Sequence, residues 1–162
     1  MNRHLSRIII LQSLYEWDFR QTNPIEVASR NVQAFKKEVD LDFIDKVLKG
    51  IIEKNKKIDE KIQNAAPEWP LAQIAPIDKN ILRIAIFELL FCDDVPPKVA
   101  INEAVELGKA FGSDNSSKFI NGVLGTLFRS SDKYKKEEDE FLKEKNVTKK
   151  SWRIWKKNRN WF

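Results

Sequence analysis

The 162-residue sequence contains only one cysteine, Cys92, and one histidine, His4. A single cysteine excludes an intramolecular disulfide and is typical of a reducing compartment. The pair cannot supply the ligand sets of the usual zinc sites, so we expect no metal and no other cofactor. No apolar run approaches the ~18 residues of a membrane span, and the N-terminus lacks a signal-peptide pattern. These absences predict a cytoplasmic protein that does not associate with membranes.

Motifs of the common catalytic chemistries are also missing. The Gly108-x-x-x-Gly112 spacing lacks the Lys-Ser/Thr pair of a phosphate-binding loop, and no Gly-x-Ser-x-Gly elbow occurs. Cys92 ends an apolar helical pattern, which indicates a packing residue rather than a nucleophile. Asp93 and Asp94 precede a Pro-Pro turn, which is typical of solvated loop charges. We therefore expect no enzymatic activity.

The net charge of +5 is confined to the C-terminal part of the chain. Residues 132–162 hold 11 Lys+Arg and 6 Asp+Glu, whereas residues 1–131 hold 18 of each sign. All glycines and prolines also lie before residue 131. The sequence therefore divides into a neutral body, residues 1–131, and a basic tail, residues 132–162.

Hydrophobic periodicity in the body predicts an all-α fold with about seven helices. Residues at 3,4-spacing, most of them apolar or aromatic, mark the first helix, at Leu5, Ile8, Ile9, Gln12, Tyr15 and Phe19. Asn23-Pro24 is a helix start, with Ile25, Val32 and Phe35 expected to face inward. The prolines at 67, 70 and 76 predict an irregular connector. The predicted helices cover residues 3–20, 24–39, 42–65 with a break near residue 55, 77–91, 98–111 and about 114–128.

The helix at residues 77–91 is apolar on almost every face, which predicts a central, buried position. Arg83 and Glu88 interrupt it, and they lie too far apart around the helix to pair with each other. Buried charges need partners, so we expect an internal ion-pair network rather than a functional polar site. The candidate partners are on the next helix, at Asn102, Glu103 and Glu106.

The N-terminal helix carries a small basic cluster, Arg3, His4 and Arg7, with no acidic residue before Glu16. Tyr15 lies further along the same helix. Positive charge for phosphates together with an aromatic ring for unpaired bases is typical of single-stranded RNA binding. A solvated helix start explains the cluster equally well, so the residues alone leave both interpretations open.

The end of the tail forms a basic amphipathic pattern when drawn as a helix. One arc holds Lys149, Lys150, Arg153, Lys156 and Lys157, and the other holds Trp152, Ile154, Trp155, Trp161 and Phe162, with Arg159 among the aromatic residues. Such a segment can bind nucleic acid, an anionic membrane surface or an acidic partner. Alternatively, the aromatic residues dock back on the body and the charges are solvated.

Several segments of the body resemble one protein family. They are Leu-Gln-Ser-Leu-Tyr-Glu at residues 11–16, the stretch at 76–90, Ile-Asn-Glu-Ala at 101–104 and Lys-Phe-Ile-Asn-Gly-Val-Leu at 118–124. Together they closely resemble the NusB family of transcription antitermination factors, over about residues 3–130. The resemblance does not extend to the tail.

This resemblance implies a fold of two small helical bundles and partnership with NusE, a protein of the small ribosomal subunit. It implies that the pair binds the boxA element of nascent ribosomal RNA transcripts within the RNA polymerase antitermination complex. By the same resemblance, the RNA-binding residues are Arg3, His4, Arg7, Tyr15, Asn115, Ser116, Lys118 and Phe119. Asp78, which opens the central helix, corresponds to the residue that faces NusE.

The arginine cluster is thinner here than in many members of that family, because His4 and Leu5 separate its arginines. We therefore expect the neutral body to bind RNA weakly by itself and the partner to supply much of the affinity. The tail is expected to compensate through Lys149, Lys150, Trp152, Arg153, Trp155, Lys156, Lys157 and Arg159. Other functions left open are a helical protein-interaction module and an accessory to ribosomal RNA modification or ribosome assembly, without antitermination activity.

Overall fold

The computed structural model describes residues 1–133, and this part of the chain is built from α-helices joined by short turns. The all-α prediction with about seven helices is confirmed for this range. The tail residues proposed from sequence, from Lys149 to Arg159, lie outside it. The helices are α1 (Arg3–Arg20), α2 (Pro24–Asn31), α3 (Leu41–Glu53), α4 (Asn55–Ala65), α5 (Pro76–Phe91), α6 (Pro97–Phe111) and α7 (Ser116–Arg129), with 3-10 turns at Val32–Ala34 and Leu71–Gln73.

Three helix starts are fixed by side-chain caps. The side chains of Asn2, Asn23 and Asp40 each accept a hydrogen bond from a backbone N–H two or three residues further on, at 2.9, 3.0 and 3.1 Å. These bonds satisfy N–H groups that the first turn of a helix leaves without partners. Pro24 occupies the first turn of α2, where its missing N–H costs nothing. The predicted start at Asn23-Pro24 is confirmed.

The predicted end of α2 near residue 39 is wrong, because the helix stops at Asn31 and a 3-10 turn follows. The backbone N–H groups of Glu38 and Val39 both donate to the carbonyl oxygen of Phe35, at 2.8 and 3.1 Å. This turn places Val39 in the core. It directs Phe35, which was expected to face inward, to solvent with 40% of its surface exposed.

The helices form two groups that share α5. Helices α1, α2 and α3 pack against one another, and α4, α6 and α7 pack around α5. Helix α5 also contacts α1 and α3, and its side chains are buried from Asn80 to Leu89. The predicted central helix and the two small bundles are therefore confirmed. The predicted break near residue 55 is confirmed as well, since Lys54 separates α3 from α4.

The proline-containing connector between α4 and α5 is held by one side chain. Gln63 donates to the carbonyl oxygens of Ala66 and Trp69, at 3.2 and 2.5 Å, and accepts from the N–H of Leu71 at 2.9 Å. These bonds add to the few backbone hydrogen bonds of the connector, such as that from the Trp69 N–H to the carbonyl oxygen of Ala66 at 3.0 Å. They hold Trp69 fully buried in the core.

The two charges of α5 pair with other helices, as the sequence predicts, but their partners differ from the expected ones. Arg83 donates to Asp59 of α4 at 2.9 and 3.0 Å and to Asp18 of α1 at 3.1 Å. Burial opposes its charge, yet the hydrogen bond and charge of Asp59, reinforced by Asp18, raise the pKa of Arg83. Glu88 binds Arg7 of α1. The expected partners were Asn102, Glu103 and Glu106.

The structure bears on three features that are scarce or missing in the sequence: cysteine, metal ligands and membrane spans. Cys92 is buried, and burial raises the pKa of its thiol, so it is a packing residue as predicted. Within residues 1–133, no three His, Cys, Asp or Glu side chains are grouped to hold a metal ion. None of the helices in this range combines the length and the apolar character needed to cross a bilayer.

Candidate nucleic-acid interface

Helix α1 presents two apolar stripes, and only one of them is in the core. The buried stripe faces α3 and α5 and includes Ile9, Ile10 and Leu14. The stripe whose spacing predicted the helix is only partly buried: Ile9 lies in the core, whereas Tyr15 and Phe19 are 37% and 60% exposed. A second, half-exposed apolar face of a helix points to a binding surface rather than to core packing.

This exposed stripe forms one wall of an open groove of about 580 Å³. The groove, which we call the aromatic groove, is lined by Ile8, Leu11, Gln12, Tyr15, Glu16, Phe19, Arg20, Asn31, Ile77 and Phe111. The rings of Tyr15 and Phe19 lie 4.7 Å apart between centroids at an angle of 50°. Phe111, at the end of α6, is 43% exposed. Three half-exposed rings around a groove can stack on unpaired bases.

Two charged residues line the aromatic groove, Glu16 and Arg20, and Arg20 is the one that can contact a ligand. Glu16 is engaged by Arg30 of α2, at 2.9 and 3.0 Å. Arg20 is exposed at the end of α1 and makes no ion pair within residues 1–133. An unpaired guanidinium beside these exposed rings is suited to a phosphate or to the face of a base.

Two residues of the N-terminal cluster are at the surface, at the start of α1. Arg3 lies 3.4 Å from both Asp40 and Asp94, and its side chain is 40% exposed. His4 contacts Glu103 through Nδ1 at 2.8 Å and is 49% exposed. Exposed pairs of this kind contribute ~1 kcal/mol or less, so an RNA phosphate can displace the acidic partners.

Arg7, the third member of the cluster, is buried. Its Nε lies 3.0 and 3.1 Å from the two carboxylate oxygens of Glu88, and its second amino group lies 2.6 Å from Oε1. Only 4% of the Arg7 side chain and 1% of the Glu88 side chain are exposed. Burial raises the pKa of Glu88 although Arg7 opposes the shift. Arg7 is thus placed to fix α1 on α5, not to reach a ligand.

The start of α7 divides into exposed and buried residues. Lys118 is exposed and Asn115 is half-buried at the helix start, so both can reach a ligand. Ser116 is buried, and its Oγ accepts the N–H of Ser113 at 2.8 Å, which closes the α6–α7 loop. Phe119 is buried against Trp69, with ring centroids 6.4 Å apart. Ser116 and Phe119 therefore position this end of α7 from within.

Asp78 is also buried, with 1% of its surface exposed in the first turn of α5. Neither of its carboxylate oxygens has a hydrogen-bond partner within the described residues. Burial raises the pKa of Asp78 to about 6, and the nearby Ser116 side chain offsets part of the increase. The carboxylate thus faces the interior, near the start of α7, instead of an outer surface.

Sequence reasoning missed two residues that the structure brings to the same groove as Tyr15. Phe111 is at the end of α6, one residue before a glycine, and its position in the sequence does not distinguish it from a core residue. For Arg20 the sequence offers one weak indication of a role at the groove, because Arg20 ends the helix that carries the aromatic stripe. Tyr15 and Phe111 are 96 positions apart in the sequence, so only the packing of α1, α5 and α6 shows that they share a groove.

Comparison with known proteins extends over the same residues. A family model described as the NusB family matches residues 4–129. A transcription antitermination protein NusB of Dehalococcoides mccartyi is 42% identical over 130 residues, which cover 80% of this chain and 91% of that protein. NusB of T. maritima superposes with a TM-score of 0.71 at 25% identity, covering 94% of this chain and 98% of the other.

A further solved structure contains the antitermination factors NusB and NusE in complex with double-stranded RNA. A chain of it matches with a TM-score of 0.70 at 25% identity, and covers 81% of this chain and the whole of that chain. The resemblance drawn from the sequence motifs is therefore confirmed by matches that span nearly all of residues 1–133. This chain belongs to the NusB family.

Proposed function

We propose that this protein is a transcription antitermination factor that binds the boxA element of nascent ribosomal RNA transcripts together with NusE. It acts in the cytoplasm, as part of the antitermination complex on RNA polymerase. The observation that carries the proposal is the aromatic groove beside the exposed basic start of α1, on a chain whose relatives include a NusB bound to NusE and RNA.

The structure supports different roles for the residues proposed from sequence. Arg3, His4, Tyr15, Asn115 and Lys118 have exposed or half-exposed side chains and are proposed to contact RNA. A second set is buried and is proposed to position the first: Arg7, Ser116 and Phe119. Phe111 and Arg20 join the contact residues, because they line the same groove as Tyr15.

The role of Asp78 also changes with its environment. A carboxylate with 1% exposure cannot form a direct ion pair with a partner protein unless α5 moves. Its closeness to Ser116 supports a role in orienting the start of α7. We therefore propose that NusE binds the surface next to the start of α5 and does not contact Asp78. Asp78 would affect NusE binding only indirectly, through the packing of α5 on α7.

The tail contributes a separate attraction to RNA that does not depend on the RNA sequence. Residues 149–162 hold six basic and no acidic residues, so they can neutralise several phosphates. We propose that Lys149, Lys150, Arg153, Lys156, Lys157 and Arg159 contact phosphates, while Trp152 and Trp155 stack on bases. This contribution compensates for the burial of Arg7, which leaves only Arg3 and His4 at the surface of the N-terminal cluster.

The decisive experiment is a binding assay with fluorescently labelled boxA RNA, adding the protein and the cognate NusE separately and together. We expect weak binding by the protein alone and at least tenfold tighter binding by the pair. A boxA sequence with shuffled bases is the control, and it should lose the gain. A protein-interaction module without RNA function would bind NusE and leave RNA affinity unchanged.

A further inference from the structure

Five basic side chains contact the turn between α5 and α6, at residues 91–94. Lys54 and Lys57, at the start of α4, hold their ammonium groups 4.8 and 5.4 Å from the centroid of the Phe91 ring. The other three contact the acids of the turn: Arg3 and Lys46 lie 3.4 and 3.5 Å from Asp94, and Lys133 lies 3.5 Å from Asp93. We call these five basic residues the basic rim. Because four residues span at most ~14 Å, the rim concentrates positive charge in a small area.

The acids beside the basic rim do not balance its charge. Asp93 and Asp94 contact it, and Asp40 lies 3.4 Å from Arg3, which makes three carboxylates against five cations. Within residues 1–133, Lys54 and Lys57 make no ion pair. The side chains of Asp93 and Asp94 are 99% and 54% exposed, and exposed pairs contribute little and exchange readily. The rim is therefore a positive surface that can accept an anionic ligand.

The basic rim continues the RNA surface proposed at the start of α1. His4 precedes Tyr15 by about three helical turns, so both residues lie on the same side of α1. Arg3 is the next residue toward the N-terminus, and it belongs to the rim through its contact with Asp94. A strand that leaves the aromatic groove past His4 thus reaches Arg3 and then the other cations of the rim. This continuity favours RNA over an acidic protein as the ligand.

The chemistry of the basic rim favours the RNA backbone over the bases. Lys54 and Lys57 lie over the Phe91 ring, so this part of the rim presents charge instead of an aromatic face. The ring attracts both ammonium groups and thereby positions them. A lysine binds a phosphate as a point charge, and contacts to phosphates do not read the sequence. The rim therefore suits any stretch of RNA that can reach it.

We propose that the basic rim binds the phosphates of the RNA that flanks boxA on one side. This inference rests on the proposed function and extends its RNA path beyond boxA itself. The length of the flanking RNA matters for this contact, whereas its sequence does not. The rim lysines therefore contribute to the affinity for a longer transcript and not to the recognition of boxA.

The test compares three RNAs on the full chain with NusE: boxA alone, and boxA extended by about ten uridines on its 5′ or its 3′ side. We expect one extension to tighten binding at least tenfold. The double variant Lys54→Gln, Lys57→Gln should lose most of this gain and bind boxA alone with unchanged affinity. For the tighter RNA it should also flatten the log–log salt dependence by about 1.4, since each lost phosphate contact removes about 0.7.

The matched control is the double variant Lys49→Gln, Lys109→Gln. It removes the same charge from two lysines that form exposed pairs elsewhere, with Asp45 and Glu106, and it should keep the gain. Acetylation of the unsubstituted protein, read by mass spectrometry, gives a second measurement. The tighter extended RNA should protect Lys54 and Lys57, boxA alone should not, and Lys49 should react equally in every case.

Several results would overturn this inference while boxA binding stays intact. One is equal affinity for boxA with and without either extension, and another is an undiminished gain in the Lys54→Gln, Lys57→Gln variant. Protection of these lysines by NusE without RNA would make the rim a protein-binding surface, and low reactivity in the free chain would mean that the chain itself covers them. If boxA binds no better than shuffled RNA, the proposed function fails, and this inference fails with it.

Discussion

The guanidinium of Arg7 and the carboxylate of Glu88 form a two-pronged ion pair inside the protein, with N–O distances from 2.6 to 3.1 Å. The Phe43 ring lies 5.1 Å from the guanidinium carbon, and Glu103 lies 3.7 Å from its remaining amino group. An arginine that sequence comparison would place on RNA is thus committed to the interior. Its removal should affect folding before it affects binding.

We expect Arg7→Ala to lower the free energy of unfolding by about 3–5 kcal/mol, because Glu88 would be left as a buried charge without its partner. Combining it with Glu88→Leu should recover most of the loss. Urea denaturation followed by circular dichroism measures both changes. The matched control is Arg20→Ala on the same helix, which should cost less than about 0.5 kcal/mol. An Arg7→Ala protein of normal stability that has lost RNA affinity would instead show that Arg7 contacts RNA.

Asp78 predicts a pH dependence of stability. Its pKa in the folded protein is about 6, above the ordinary value of 3.8. A raised carboxyl pKa favours folding at low pH, and this benefit is lost as pH rises from about 4 to 6. Asp78→Asn should therefore raise the free energy of unfolding at pH 7 by up to about 3 kcal/mol and change it little near pH 4.

The control for that experiment is Asp114→Asn, an exposed acid in the α6–α7 loop. It should leave the pH profile of the unfolding midpoint unchanged. If NusE affinity falls on Asp78→Asn while stability at pH 7 stays constant, the carboxylate faces the partner directly and the positioning role is wrong.

The aromatic groove predicts that substituting either of two residues far apart in the sequence weakens RNA binding to a similar extent. Tyr15→Ala and Phe111→Ala should each weaken boxA RNA binding by roughly tenfold, since stacking on one base contributes about 1–3 kcal/mol. Fluorescence anisotropy with NusE present measures the affinity. Phe35→Ala is the control, because Phe35 is a comparably exposed ring that does not line the groove. Equal losses in all three variants would indicate a general effect on the fold.

The tail predicts a change in salt dependence rather than in sequence preference. Replacing Lys149, Lys150, Arg153, Lys156 and Lys157 by Gln should weaken RNA binding and flatten its dependence on salt, by about 0.7 in the log–log slope for each lost phosphate contact. Shuffled RNA should be affected as strongly as boxA RNA. Lys49→Gln, in an exposed pair with Asp45, is the control. An unchanged slope would remove the tail from the RNA-binding surface.

The fold was largely predictable because its signals are local. Asn23-Pro24, the three connector prolines and the all-round apolar pattern of α5 each depend on neighbours in sequence. The exceptions involve distant contacts. Phe35 points outward because Val39 turns into the core, and the partners of Arg83 and Glu88 are on α1 and α4 rather than on α6.

The candidate site was only partly predictable. Tyr15 was identified from residue type and position, and it is at the surface. Arg7 and Phe119 have the same chemistry as binding residues, yet they are buried. Sequence alone does not show which side of α1 or α7 faces the core, because each helix carries apolar or charged residues on more than one side.

Three ion pairs between α1 and α5 help to fix how α1 is rotated about its own axis: Arg7–Glu88, Asp18–Arg83 and Asp18–Lys79, the last at 3.3 Å. Arg7 binds Glu88 near one end of α5, and Asp18 binds Arg83 closer to the other end. Two anchors eleven residues apart on α1 hold it in the rotation in which Tyr15 and Phe19 face outward. The buried ion pairs of this protein thereby determine which aromatic side chains of α1 are exposed at its surface.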